Sequence, residues 1–206
     1  MKIELIISPK AVDHKISTMH KEMDNARTSD SSRTTITELM IPSYANFGGK
    51  IHGGILLSLM DKVAYATASK HSGAYCVTVS VDTVDFLQPV EVGELVSLMG
   101  SINYVGNSSM VVGIKVISEN VKSGLVKHTN TCYFTMVAKG DDDKPTMVPK
   151  LILENATDVR RFVEAIYRRK FKQNYETNLK EIKSNWDKQD VASLLKDQRC
   201  VSRMKE

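Results

Sequence analysis

Apolar residues along this 206-residue chain change their period twice, and each change marks an element. Thr34 to Ile41 alternates as a short strand that Pro42 stops. Ser43 to Lys50 is a turn-rich loop running into His52-Gly53-Gly54. Ile55 to Ala68 is then apolar almost without a break. It is too long for a strand and rich in Leu, Met and Ala, so it predicts a helix. A helix apolar on nearly every side must be buried on nearly every side. After His71-Ser72-Gly73 the period falls to two, with Val77, Val79 and Val81 on one face and Cys76, Thr78, Ser80 and Asp82 on the other. By Val84 and Phe86 the apolar residues have moved to even positions, a slip of the kind a β-bulge or sharp bend makes. Three more strands are predicted at Glu94 to Val105, Ser109 to Glu119 and Val126 to Ala138. Gly106-Asn107-Ser108 and Lys122-Ser123-Gly124 form the turns between them. One strand, a buried helix and four long consecutive strands make an α+β pattern, an antiparallel sheet wrapped around one helix.

The two ends of the chain read differently. Residues 8–33 are polar and lack periodicity, so residues 1–33 are expected to be a mobile or loosely packed arm. Asp141-Asp142-Asp143-Lys144-Pro145 breaks the strand pattern and Pro149 closes the sheet region. In the tail, residues 151–206, Val159, Phe162, Val163, Ile166 and Tyr167 recur at helical spacing and are expected to form a buried stripe. Arg160, Arg161, Arg168, Arg169 and Lys170 are expected to face outward, toward solvent or a phosphate at the rim of a site. A less regular second helical stretch runs from Trp186 to Leu195. The tail holds 13 Lys+Arg against 9 Asp+Glu and so carries the chain's whole net charge of +4. That excess is the one hint of an anionic partner, with a solvated helix face as the plainer reading.

Composition removes several classes. With 42% hydrophobic and 25% charged residues, the chain is neither a rod, a collagen nor a disordered polymer. No run approaches the roughly 18 apolar residues of a membrane span, and the apolar start is interrupted by Glu4 and Pro9, unlike a secretory signal. Cys76, Cys132 and Cys200 form neither a disulfide framework nor a metal cluster, so a cytoplasmic protein with reduced thiols is expected. Phosphate-loop, dinucleotide, zinc-protease, CxxC and GxSxG motifs are missing, and the five histidines show no metal-ligand spacing. What remains is the segment Asn46 to Gly54 together with Asp61. Gly53 and Gly54 leave backbone N–H groups uncovered at a helix start, where the dipole can polarise a carbonyl oxygen. Asp61 lies two turns further along the same face. A carboxylate on an apolar helix is either its wet edge, beside Ser58, Lys62 and Tyr65, or a working base or nucleophile. Asn46 alone reads as a turn residue before a catalytic one.

The run Asn46 to Asp61, NFGGKIHGGILLSLMD, resembles the signature of hotdog-fold acyl-CoA thioesterases. The resembling group contains small bacterial acyl-CoA hydrolases and the tandem cytosolic acyl-CoA hydrolases of animals. Similarity continues through Val77 to Val90, the Glu91-Val92-Gly93-Glu94 entry to the next strand, the Asn107-Ser108-Ser109-Met110 hairpin and Lys144-Pro145 to Pro149. It spans about residues 34–150, which would be the hotdog domain, with the arm before it and the tail after it.

This resemblance implies hydrolysis of acyl-CoA to free acid and CoA, in lipid metabolism, with no cofactor beyond the CoA of the substrate. It implies a homodimer with sites at the interface, assembled as a hexamer of three dimers. Asn46 of one subunit would meet Asp61 of the other. Asp61 would act as general base or as nucleophile, Asn46 would orient water or thioester, and Gly54 N–H, with Gly53 beside it, would polarise the carbonyl. His52 is expected to support the loop. Asn107, Ser108 and Ser109 fall where relatives contact CoA, a hairpin turn being the alternative. Lys127 and Lys139 are further phosphate candidates, with solvated strand ends as the alternative. Two rival functions remain, a hydroxyacyl-thioester dehydratase, which would pair a His with a carboxylate, and a non-catalytic acyl-CoA-binding regulator. The second needs a nucleic-acid-binding module, for which the basic tail is the sole candidate.

Overall fold

The computed structural model describes residues 25–186, 191–201 and 203. The chain divides into two compact units at Ala165/Ile166.

The first unit is built on a five-stranded antiparallel sheet in the order β2–β4–β5–β6–β3. Its strands are β2 (Thr34–Leu39), β3 (Tyr75–Val81), β4 (Leu95–Val105), β5 (Ser109–Asn120) and β6 (Leu125–Lys139). The three long strands start and stop within one or two residues of the limits that the alternation predicts. The sheet wraps the helix α2 (Gly53–Ser72). Val96, Leu98 and Ile102 of β4, Val112, Ile114 and Val116 of β5, and Cys132, Phe134 and Met136 of β6 are buried in one core with α2. Each such side chain contributes about 1.5–3 kcal/mol. Gly100 sits beneath the helix. A Cβ there would lie 2.5 Å from Thr67 Oγ1 and 2.7 Å from Val63 Cγ1, so glycine sets the helix–sheet distance.

Both ends of α2 are tied down. At its C-terminus Gly73 takes the left-handed conformation at φ 71° and donates to Ser69 O, while Arg27 Nη1 donates to the carbonyls of Lys70 and His71 at 2.7 and 2.8 Å. Arg27 belongs to β1 (Ala26–Thr28), which pairs in parallel with β7 (Lys150–Ile152). The short helix α1 (Ser29–Ser32) follows, capped by Thr28 Oγ1 on Ser31 N. The arm expected to be loosely packed therefore packs from Ala26 onward. Its polar composition hid this because Ser29 and Ser32 are buried, with the Ser32 hydroxyl satisfied by Ser29 O. The remainder of that arm, residues 1–24, lies outside the described residues.

Three further expectations are corrected. Helix α2 is not buried all round: Leu56, Leu59, Met60, Val63, Ala64, Thr67, Ala68 and His71 are covered, whereas Leu57 and Tyr65 are 37% and 43% exposed. One sheet covers one side of a helix, and the uncovered apolar side lies next to exposed Val79 and Val81 of the edge strand β3. The phase slip falls at the bulge between Thr78 and Ser80, and the strand ends at Val81. Residues beyond it cross β6 through Asp82 N to Tyr133 O and Leu87 N to Thr129 O, and Asn130 Nδ2 donates to Asp85 O at 2.7 Å. Third, the helix α3 (Ala156–Ser184) buries Asp158 and Ala165, with Phe162 against Tyr104 at 4.9 Å, while Val159 and Val163 stay exposed. The packed face is rotated because Asp158 anchors the helix start through Glu154 N and Asn155 Nδ2.

The second unit continues α3 from Ile166 and adds α4 (Val191–Leu195). Tyr167, Phe171 and Tyr175 are exposed along it, and the Tyr167 and Phe171 rings stand 6.2 Å apart. Of the expected stretch from Trp186, α4 is helical, and residues 187–190 lie outside the described residues.

Candidate active site

The loop before α2 is held by its own backbone and by one side chain. Asn46 N donates to Lys50 O at 2.7 Å, Gly49 N returns to Asn46 O, and Gly49 adopts φ 75°. Asn46 Oδ1 accepts from the N–H groups of Gly48 and Lys50 at 2.9 and 3.2 Å. Asn46 is thus a turn residue in its acceptor atom, with its Nδ2 donor directed to no described partner. Phe47, at the loop tip, is fully exposed.

His52 caps α2, its Nδ1 accepting from Gly54 N at 2.9 Å. This modifies the role expected for Gly54. Its N–H is already satisfied by the imidazole, so a ligand oxygen must displace the ring to reach it. Gly53 is closed on another side, since a Cβ there would stand 3.2 Å from Phe86 Cζ.

Two turns along the helix, Asp61 projects into an open groove of about 540 Å³. Leu57, Val81, Val84, Phe86 and Phe134 make its apolar walls, and Ser58 and Asp82 add polar edges. Thr78 Oγ1 donates to Asp61 Oδ1 at 2.6 Å. Thr78 stands just before the bulge of β3, on the same face as buried Cys76, and so faces the helix. Sequence reasoning did not single out Thr78. The available signal was its place in the Val77-Thr78-Val79 alternation, on the face opposite the valines and in step with Asp82. The hydroxyl fixes the carboxylate's orientation and leaves its second oxygen to face the groove.

Within one chain the structure brings Thr78 to Asp61, while Gly53 and Gly54 stand two turns back at the helix start and do not line the groove, and no contact joins Asn46 to Asp61. Asn107, Ser108 and Ser109 lie at the β4–β5 turn and do not line the groove. Their carbonyls hold neighbouring chain, with Val148 N donating to Asn107 O, Ala138 N to Ser108 O and Gly106 N to Ser109 O. Lys127 bonds to Pro89 O and pairs at 2.8 Å with Glu94. Burial would raise the Glu94 pKa, yet Lys127, the Glu91 N–H and Ser118 together hold it below the usual carboxylate range. Lys139 bonds to Asp143 O at 2.7 Å. Both lysines are engaged structurally. Cys132 is buried and its thiol is pushed up to about 12, which removes it as a nucleophile. Among the described residues no cluster of His, Cys, Asp and Glu could hold a metal ion, and no helix is long and apolar enough to cross a membrane.

A sheet wrapped on one long helix, with an aspartate at mid-helix over an apolar groove, defines a hotdog protein with a site on its open side. Residues 48–124 match the family model described as Thioesterase superfamily. Protein VdlD of Helicobacter pylori is 44% identical over 145 residues, covering 70% of this chain and 83% of that protein. YkhA of Bacillus subtilis, called an uncharacterized acyl-CoA thioester hydrolase, is 31% identical over 153 residues, 74% of this chain and 89% of its own. Among solved structures, an apo-hexameric acyl-CoA thioesterase superposes with TM-score 0.72 at 32% identity, covering 74% of this chain and 97% of that one. The acyl-CoA hydrolase of Staphylococcus aureus, solved with butyryl-CoA, CoA and CoA disulfide, gives 0.69 at 28% identity over 77% and 99%. The latter has also been solved with an asparagine, an aspartate or a threonine replaced by alanine. The chain belongs to the hotdog-fold acyl-CoA thioesterases.

Proposed function

We propose that this chain hydrolyses acyl-CoA thioesters at a site made by two protomers, with Asp61 and Thr78 from one and Asn46 from the other. The observation that carries the reading is the Asp61 carboxylate held at 2.6 Å by Thr78 above an apolar groove. The three residues replaced in the S. aureus enzyme support it. They are spaced 15 and 17 residues apart, as are Asn46, Asp61 and Thr78 here.

In this mechanism the apolar walls take the acyl chain and exclude bulk water. The thioester oxygen displaces the His52 ring and accepts from Gly54 N–H, where the helix dipole stabilises developing negative charge. The free oxygen of Asp61 takes a proton from water as that water attacks the carbonyl carbon. The tetrahedral intermediate then collapses, the C–S bond breaks, and CoA leaves as thiolate and is protonated. Alternatively Asp61 attacks the carbon itself, the C–S bond breaks with CoA leaving as thiolate to be protonated, and water hydrolyses the resulting mixed anhydride to free acid and the Asp61 carboxylate. Asn46 Nδ2, the atom not engaged by its own loop, orients water or the thioester. Among the described residues His52 pairs with no carboxylate and caps α2 instead, which speaks against the dehydratase arrangement.

A second copy of this chain is the proposed cover for the open side of α2 and the free edge of β3, where Leu57, Tyr65, Tyr75, Val79 and Val81 are exposed. The hexameric state of the structural relative extends this to three dimers. The enzyme would need no cofactor and would act in the cytoplasm on lipid-derived thioesters. The test mixes inactive Asn46→Ala and Asp61→Ala proteins under subunit exchange. Activity should return toward one quarter of wild type, since a mixed dimer holds one complete site. No recovery despite proven exchange would show that each protomer supplies both residues to its own site.

A further inference from the structure

The opposite face of the sheet carries a second cavity, of about 400 Å³, that this reaction does not use. Cross-strand rows Thr35–Met99–Lys115–Thr131 and Ser101–Gly113–Tyr133 form its floor. Side chains alternate across a sheet, and Gly100, between Met99 and Ser101, faces α2, so this floor faces away from α2 and from Asp61. The first turns of α3 form the roof, fixed by the Asn155–Asp158 cap and the Phe162–Tyr104 contact, and bring Arg160, Arg161 and Glu164 to the cavity.

Charge in this cavity is one-sided. Of its four cations, Arg33 pairs with Asp30 at 2.8 Å and Arg160 with Glu164. Lys115 and Arg161 have no carboxylate partner among the described residues. Buried Asn103 accepts from Ser101 Oγ at 3.1 Å on its Oδ1, leaving Nδ2 as a donor. Gly113 makes room for that amide, since a Cβ there would lie 2.2 Å from Nδ2. An ammonium, a planar guanidinium and an amide donor lining one cavity are the groups that bind a tetrahedral dianion. A volume of this size admits the small molecule that carries it.

We propose that this cavity binds a phosphate monoester through Lys115, Arg161 and Asn103. The inference is independent of the hydrolase reading, because none of its residues lines the Asp61 groove. The phosphate could belong to the 3′-phosphate of CoA or to a free phosphorylated metabolite, and the shared chemistry is the monoester dianion.

The full-length protein is titrated with inorganic phosphate at low ionic strength. Saturable binding of one phosphate per protomer, displaced by sulfate and not by equal chloride, is expected. Lys115→Gln/Arg161→Gln should weaken it at least tenfold. Arg160→Gln, which removes a cation already paired with Glu164, should change it less than threefold, and Asp61→Asn should bind as wild type. On the unmodified protein, phosphate should slow acetylation of Lys115 at least fivefold without slowing that of exposed Lys122. Tenfold better displacement of phosphate by CoA than by 3′-dephospho-CoA assigns the site to CoA. Equal, weak displacement by both, with tight displacement by simple phosphomonoesters, assigns it to a metabolite. Absence of saturable binding, wild-type affinity in the double variant, or unprotected Lys115 overturns the proposal.

Discussion

The two faces of one sheet hold cavities of opposite character. On the α2 side the groove is walled by Leu57, Val81, Val84, Phe86 and Phe134 around one carboxylate. On the far side the floor is made of Thr35, Ser101, Gly113, Lys115 and Thr131 under an arginine-bearing helix. Alternation along β4, β5 and β6 creates both faces at once, since inward residues of the core alternate with outward ones, Ser97, Ser101, Lys115, Thr131 and Thr135 among them. The faces differ in what completes them. The outer cavity is partly covered within the first unit by α3, whereas the groove is more open, with apolar side chains exposed along α2 and β3. A partly covered surface of mixed polarity that carries four cations suits binding of an anionic group. Uncovered apolar surface beside a carboxylate suits a site that a second protomer completes.

The largest expected effect is on the groove side. Asp61→Asn should lower kcat/KM at least a thousandfold, about 4 kcal/mol of transition-state stabilisation, with the oligomer unchanged in sedimentation. Near-normal turnover would end the catalytic reading of the groove. Thr78→Val comes next. Losing the hydroxyl frees the Asp61 carboxylate to rotate, so kcat should fall 10- to 100-fold, about 1.4–2.7 kcal/mol, with KM within threefold. Thr78→Ser should restore most of it. A loss confined to KM would make Thr78 a groove-shaping residue instead.

The difference between the faces also explains what could be read from the chain. Long alternating runs and an unbroken apolar helix announce the sheet and α2, because burial of one face imposes the period directly. Asp61 stands out as the exception within that helix. Thr78 does not, since a threonine in a strand fits the local pattern, and only the fold shows that it faces a residue 17 positions away. The β1–β7 pair was illegible for another reason: three residues per strand are too few to show a period, and the partners lie far apart in sequence. The rotated face of α3 was missed because hydrophobicity alone ranks Val159 above Asp158, whereas a cap decides the packing. The outer cavity draws on β2, β4, β5, β6 and α3, so no segment announces it.

Truncation sharpens the contrast. Ending the chain after Ala165 keeps the roof of the outer cavity and should leave the melting temperature within about 2 °C. Ending it after Lys150 removes Phe162 from Tyr104, uncovers the outer face and takes Leu151 and Ile152 from the β1–β7 pair. An aromatic contact is worth about 0.5–1.5 kcal/mol beyond its burial, so a drop of at least about 4 °C is expected. Hydrolysis should persist in both, because the groove uses no residue of α3. Equal melting of the two truncations would mean that the roof contributes nothing to the first unit.

The smallest effect concerns a residue that belongs to neither cavity. His71, near the end of α2, is fully buried, with Nε2 3.2 Å from Pro149 O. Burial lowers its pKa from the ordinary 6.5; the Pro149 carbonyl opposes that shift and Arg27 adds to it. The unfolded chain therefore takes up a proton at His71 at a pH where the folded chain does not. Stability from this residue is complete above about pH 6.5 and is lost progressively below it, by at most about 1.4 kcal/mol per pH unit. The urea midpoint should fall between pH 7.5 and 5.5, above the range in which ordinary carboxylates titrate. His71→Asn should be less stable at pH 7.5 and show a flatter pH dependence over that interval. An unchanged slope in the variant would assign the acid sensitivity to other groups and leave His71 as packing alone.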